Sequence, residues 1–326
     1  MSRRVLITGV TGQDGGYLAE RLLADGDEVI GTAQRPGGAL AAAGLPQLEG
    51  RVELLAMDLL DPDSIRRAVA EAAPDEIYHL AAPTFVPGSW DDPSEVCAAI
   101  ATGTAALLAA AGALGGGVRV LVAASSEVFG DAGVSPQRED SPMRPRSPYG
   151  VAKLAAHGLV GALRAHHGRF LVSAITYNHE SPRRPERFLP RKVSAGVAAI
   201  AAGQAETLTL GDLRAVRDWS HARDVVAGMV LALRHDEPGD YVFASGVGRT
   251  VDELVDAAFA AAGVVREGRV EVDPRFVRAP EPWPPVGDPS KARGVLGWEP
   301  RTSFRQLVEE MVAADLERLG VARSGA

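Results

Sequence analysis

The sequence predicts an α/β fold: a Rossmann-type, doubly wound parallel sheet with a smaller C-terminal α/β substrate-binding domain. Three observations point there. Short β-branched runs alternate with stretches of helical spacing through the first half of the chain, as in βαβ units. A glycine turn at Gly9, Gly12 and Gly15 separates the first strand-like run from the first helical one, which is the context a pyrophosphate-binding loop needs. After Tyr177 the alternation gives way to prolines and basic residues.

Taken in order, Arg4–Thr8 is a β-branched run read as a buried parallel strand. The segment Gly9-Val10-Thr11-Gly12-Gln13-Asp14-Gly15 follows. Its glycines allow a tight turn and let backbone N–H groups approach a pyrophosphate at a helix N-terminus. The helical run 17–24 comes next, then strand Glu28–Ala33 with Gln34 and Arg35 at its end. A basic residue there accommodates the 2′-phosphate of NADP, where an acidic one would accept the ribose hydroxyl of NAD. Residues 52–57 form the third strand, ending at Asp58 and Leu59. A helix at 61–73 and a fourth strand at 76–80 follow, then Ala81 and Ala82, small enough for close cofactor approach. Strand 119–124 ends in Ser125-Ser126-Glu127, hydroxyls and a carboxylate where open α/β sheets bind ligands. A sixth strand spans 170–177, with a helix at 221–233 and a strand at 241–244 returning to the sheet. Helix Val251–Ala262, strand Val270–Val272, a helix at 303–319 and a short disordered tail holding Ser324 and Gly325 complete the chain. The expected division is 1–177, with contributions from about 217–245, for the cofactor, and 178–326 mainly for substrate.

Composition bounds the function. The 326 residues are 46% hydrophobic and 23% charged, a globular balance. The net charge of −8 excludes general affinity for nucleic acid or an anionic membrane. A single cysteine, Cys97, excludes an internal disulfide, fits a reducing, cytoplasmic setting and makes no metal site. The opening residues are too few for a signal peptide before the glycine turn. Residues 98–118 carry no charge and are long enough to span a bilayer, yet they are mostly alanine. They read as a buried or subunit-facing helix.

The chemistry gathers around Ser147-Pro148-Tyr149-Gly150-Val151-Ala152-Lys153. Tyr149 and Lys153 share one helical face. An ammonium beside a phenol is expected to lower the tyrosine pKa, so that Tyr149 can exchange a proton with a sugar hydroxyl. Residues 178–192 hold five basic side chains, Arg183, Arg184, Arg187, Arg191 and Lys192. In an acidic chain they read as an anion clamp. Leu210, Gly211, Arg217 and Arg278 could join that pocket.

These motifs resemble the extended short-chain dehydrogenase/reductases acting on nucleotide sugars, and among them the GDP-mannose 4,6-dehydratase family. The resemblance lies in Thr8–Gly15, in Ser147-Pro148-Tyr149-Gly150 with Lys153, and in Asn178-His179-Glu180-Ser181-Pro182-Arg183-Arg184. It extends to Arg217-Asp218-Trp219, to the run from Gly287 to Ala292, and to Leu296-Gly297-Trp298. Departures are Ser125 for a usual threonine, Gln34-Arg35 for paired arginines, Pro83-Thr84-Phe85 for Gln-Ser-His, and Pro190 for a threonine. The resemblance implies dehydration of a nucleotide sugar, GDP-mannose foremost, by a hydride moved from C4 to C6 through NADP. It assigns proton transfer to Tyr149 with Lys153, C5 deprotonation to Glu127 and alignment of O4 to Ser125. Thr11, Gln13, Asp14, Leu80, His179 and Arg184 join the glycines and Arg35 as cofactor contacts. Thr84, Ser126, Asn178, Glu180, Lys192 and Glu281 join the substrate contacts. A homodimer or homotetramer is also implied. A reductase or epimerase of the same superfamily, and a non-catalytic NADP-binding scaffold, are the alternatives.

Overall fold

The computed structural model describes residues 2–276 and 283–321; Arg278, Glu281, Ser324 and Gly325 lie outside them. In the first half the elements are β1 (Arg4–Thr8), α1 (Gln13–Ala24), β2 (Glu28–Ala33), α2 (Ala39–Ala42), β3 (Glu53–Ala56), α3 (Pro62–Ala72) and β4 (Glu76–His79). A continuous helix then runs from α4 (Pro93–Cys97) through a π-helical turn (Ala98–Thr102) into α5 (Gly103–Ala113), followed by β5 (Arg119–Ala123). Next come α6 (Pro148–His167), β6 (Leu171–Thr176), β7 (Asn178–Glu180), α7 (Leu189–Ala201), β8 (Leu208–Leu210), β9 (Val216–His221) and α8 (Ala222–Arg234). The chain closes with β10 (Asp240–Phe243), β11 (Gly248–Thr250), α9 (Val251–Ala262), β12 (Val270–Val272), α10 (Ser290–Leu296) and α11 (Phe304–Arg318).

Seven strands form one parallel sheet in the order β10-β6-β5-β4-β1-β2-β3. Both faces are covered, so successive residues of one strand enter different cores. Val5 and Ile7 join the core under α1 and α8, while Leu6 between them joins the core under α3 and α5. All three are fully buried, each stabilising the fold by roughly 1.5–3 kcal/mol. The order in which strands are added reverses between β1 and β4, which leaves a crevice at their carboxyl ends.

The helical stretch Pro93–Ala113 is long and apolar enough to cross a membrane, and half of its most apolar window is buried within the protein. It packs against α3 and α6. It begins earlier and ends sooner than the 98–118 run that the sequence suggested, because Pro93 starts it behind Asp92, which caps Glu95.

A second group of elements joins α7, α9 and α11 around Val193, Val197, Phe259, Met311 and Trp219. Two small sheets border it, β11-β9-β7 and β12-β8. The chain then returns to the large sheet: Ala292 of α10 and Trp298 pack into the core beneath α8, where the Trp298 indole donates to the Asp224 carbonyl at 2.7 Å. Asp218, fully buried on β9, joins the parts. It accepts from the Ser245 amide and hydroxyl, the Gly246 amide and the Gly287 amide, at 2.8, 2.6, 3.0 and 3.2 Å. Burial raises its pKa and these hydrogen bonds pull against that rise. Asp218→Ala, which strands three amides, should lower unfolding free energy in urea by about 3 kcal/mol.

Candidate active site

The crevice floor is held by hydroxyl chemistry. The Thr8 hydroxyl oxygen accepts from the Leu80 and Ala81 amides, both at 3.1 Å, which occupies its two lone pairs. Its proton is therefore donated to His79 Nδ1, 2.8 Å away. That fixes the tautomer: Nε2 carries the ring proton and donates to the Thr104 hydroxyl at 3.1 Å. His79 is buried, and burial, reinforced by the Lys153 charge, lowers its pKa to about 3. Beside it Gly9 has φ of +73°, and a Cβ there would come within 2.9 Å of the Ala81 backbone. No other residue type allows this approach of β1 to β4.

Helix α1 opens over the same crevice. Its N-cap, Gly12, offers no side-chain cap, so first-turn amides are left for an anion. A Cβ on Gly15 would meet the Gly9 carbonyl at 2.3 Å. The loop is bolted to the chain beyond β6. Ser181 donates to Gln13 Oε1 at 2.7 Å, and Gln13 Nε2 donates to the His179 carbonyl at 3.0 Å. Asp14 Oδ2 lies 2.8 Å from His179 Nε2, and His179 Nδ1 faces the Tyr177 carbonyl at 2.7 Å. Both acceptors require a proton on the ring, so His179 is an imidazolium here. Burial opposes the charges, but each partner outweighs it for the other: His179 is raised and Asp14 lowered. Glu180, fully buried, pairs with Arg184 at 3.2 Å and is raised by burial.

These features fit a dinucleotide: a glycine turn, an uncapped helix start and small Ala81 and Ala82 at the end of β4. Arg35 is exposed just past β2, and makes no hydrogen bond or ion pair with any described residue. The Asp58 carboxylate accepts from the Leu60 amide at 2.9 Å, which shapes the turn carrying Leu59. Thr11 lies in the loop between Gly9 and Gly12.

At the end of β5, Ser125 and Glu127 meet the start of α6. Ser147 caps α6 by accepting from the Gly150 amide at 3.1 Å, with Pro148 in the first turn, so Tyr149 enters the helix in fixed register. Ser125 accepts from the Glu127 amide at 3.3 Å and lies near enough to the Tyr149 phenol to favour its ionisation. The Ser147 hydroxyl donates to Glu127 Oε2 at 3.4 Å. Ser125, Glu127, Tyr149 and Lys153 therefore converge, as the sequence suggested. The electrostatics differ from expectation. Tyr149 is pushed up to about 12 by burial, with Glu127 and Asp14 adding to the rise and Ser125 and Arg184 opposing it. Lys153 does not lower it: its ammonium lies 5.8 Å from the ring centroid and donates to the Ala123 carbonyl at 2.7 Å. Burial drops Lys153 itself to about 8.

The five basic residues of 178–192 do not converge as one clamp. Arg183 stacks on Tyr17 at 3.9 Å and pairs with Glu20 at 2.7 Å. Arg191 is buried against Asp315. Arg184 faces the site, Arg187 lies over Phe85 and Phe188, and Lys192 sits 5.0 Å from the Phe276 ring. Carboxylates from α1 and α11 claim two of the cations. Leu210 is buried on β8, and Gly211 packs so closely that a Cβ would strike the Phe276 carbonyl. Arg217 donates to the Val216 carbonyl at 2.6 Å. Thr84 and Asn178 are half-buried, as is Ser126 in the turn beside Glu127. The partners His79, Thr104 and Ser181 escaped sequence reasoning, since 25 to 168 positions separate them from what they hold.

The His79 geometry has a measurable consequence. Its unfolded imidazole titrates near 6.5 and its folded one near 3. Between those values the unfolded chain binds more protons, so stability falls as the pH drops through that window. His79→Gln removes this titration and should flatten the fall by up to about 1.4 kcal/mol per pH unit in urea titrations across the range.

Residues 6–311 match the family model described as GDP-mannose 4,6 dehydratase. The chain is 41% identical over 340 residues to GDP-mannose 4,6-dehydratase of Sinorhizobium fredii, covering 96% of this chain and 97% of that protein. With GDP-mannose 4,6 dehydratase 2 of Arabidopsis thaliana it shares 40% over 324 residues, covering 96% and 86%. Among solved structures, a putative epimerase from Burkholderia cenocepacia aligns with a TM-score of 0.83 at 31% identity, covering 97% of this chain and 99% of that one. RMD from Pseudomonas aeruginosa, complexed with NADPH, aligns with a TM-score of 0.81 at 27% identity, covering 97% and 100%. With its glycine crevice, its Ser125–Glu127–Tyr149 cluster and this whole-length similarity, the chain belongs to the GDP-mannose 4,6-dehydratase family.

Proposed function

We propose that this protein is a hydro-lyase that uses NADP to convert GDP-mannose to GDP-4-keto-6-deoxymannose, moving a hydride from C4 to C6 within one sugar. The observation that carries this reading is the meeting of a carboxylate, Glu127, with a serine–phenol pair, Ser125 and Tyr149, at the carboxyl end of β5. Eliminating water needs a base for the proton on C5, a role Glu127 can fill. Because a 4-keto reductase can also carry a Glu at this place, the run Asn178–Arg184 is what favours the dehydratase over it.

NADP, when bound, would supply the hydride chemistry that no side chain can. The chain's own residues do the rest. Gly9, Gly12 and Gly15, with the first turn of α1, take the pyrophosphate, and Arg35 takes the 2′-phosphate. Ser125 donates to the sugar's 4-oxygen and orients it. Tyr149 accepts the 4-hydroxyl proton. Alone it holds its own proton tightly at neutral pH, so it acts as a base only once positive charge joins Ser125 and Arg184 in opposing burial. The new 4-ketone acidifies C5–H. Glu127 removes that proton and gives it to the C6 hydroxyl, which leaves as water, and the proton that Tyr149 took from O4 goes to C5 as C6 is reduced. Lys153 fixes the wall behind the phenol through Ala123. We assign residues 1–177, with α8 and β10, to the cofactor, and most of 178–326 to the nucleotide sugar, with Asn178, Glu180, Lys192 and Arg217 among its contacts. A homodimer or homotetramer is the expected assembly.

Glu127→Gln should cut formation of deoxygenated product by about 10²–10⁴-fold while nucleotide-sugar binding persists, as followed by mass spectrometry and calorimetry. With deuterium placed on C4 of GDP-mannose, the wild-type product should carry the label on C6, read by NMR. Label accumulating in free NADPH would overturn the internal transfer and favour a reductase.

A further inference from the structure

The loop after β4 and the segment after β7 meet in a layered contact that neither the glycine crevice nor the proton-transfer groups account for. The Phe85 and Phe188 rings stand edge to face, centroids 5.7 Å apart at 88°. Arg184 lies flat against Phe188, 3.7 Å from its centroid. Arg187 covers both rings from outside, at 5.3 Å from Phe85 and 5.5 Å from Phe188. It is exposed, and makes no hydrogen bond or ion pair with any described residue. The stack adjoins the chemistry on both sides. Val86, next to Phe85, packs into the cluster of Tyr149, Ala152 and Ala156. Arg184 reaches Glu180 and is close enough to act on the Tyr149 phenol. One ring comes from the lobe that carries Tyr149 and the other from the segment entering α7, so this contact spans the cleft.

We propose that Phe85 and Phe188, covered by Arg187, form a latch that closes over the hexose and retains the half-oxidised sugar until its hydride returns. This rests on the function proposed above. Midway through that cycle C4 has lost a hydride to NADP⁺ and its hydroxyl proton has passed to Tyr149. A 4-ketone that escapes then is two electrons poorer than the substrate and leaves one NADPH behind. An aromatic edge-to-face pair is an apt closure, worth only about 0.5–1.5 kcal/mol beyond its burial, so it opens readily for exchange. The guanidinium over its face adds a comparable cation–π attraction.

The test uses the full-length protein, NADP⁺ and GDP-mannose. Phe85→Ala should raise KM for the sugar nucleotide about tenfold, the size of one lost aromatic contact. Binding of NADP⁺ should stay within about twofold. NADPH fluorescence should then build up in step with a released ketone that still carries its C6 oxygen. Phe85→Tyr, which keeps the ring, should restore the wild-type pattern. If Phe85→Ala does not fold, Phe85→Leu keeps the apolar volume without a ring edge and carries the same expectation. Turnover by Phe85→Ala with wild-type KM and no NADPH accumulation overturns the latch alone. A wild type that makes no deoxygenated sugar overturns the functional reading, and the latch with it.

Discussion

The half-buried pair of Asp14 and His179 is the constraint on which the site depends. It places a carboxylate from the first turn of α1 against an imidazolium from β7, 165 positions later. Gln13 and Ser181 double the join with neutral hydrogen bonds. Two charges out of water hold together only with good geometry and satisfied remaining protons, and the Tyr177 carbonyl meets the second ring proton. Because β7 leads directly to Arg184 and the Phe188 turn, the glycine loop and that segment share one joint.

A second balance sits at Tyr149. Burial works against phenolate formation, and so do the neighbouring carboxylates Glu127 and Asp14. The same burial makes Lys153 a weaker cation than a surface lysine. Positive charge added beside the phenol would therefore ease its ionisation.

Much of this was legible in the sequence. The parallel strands are short apolar runs, and those at the centre of the sheet are buried on both faces, as their composition suggests. The glycine spacing located the crevice, and Ser125, Glu127, Tyr149 and Lys153, singled out in the sequence, lie together at the end of β5. What stayed hidden has physical causes. Strands β7, β8 and β11 are three residues each, too short to show a period of two. Helix α7 follows a proline-rich stretch that read as irregular, although Pro190 stands in its first turn, where proline is favoured. The basic run looked like one clamp because the acids that disperse it, Glu20 and Asp315, come from distant helices. The tyrosine shift was misjudged for a similar reason: spacing puts Lys153 on the same face but does not reveal that its ammonium turns to the Ala123 carbonyl.

Arg191 ties α7 to Asp315 of α11 and donates from Nε to the Arg184 carbonyl at 3.0 Å, while Arg318 of α11 donates to the Pro182 carbonyl at 2.7 Å. The last helix thus acts as a splint for a stretch of backbone more than a hundred positions upstream. A change in the length or charge of that helix would therefore loosen the backbone from Pro182 to Arg191 without altering Ser125, Glu127 or Tyr149.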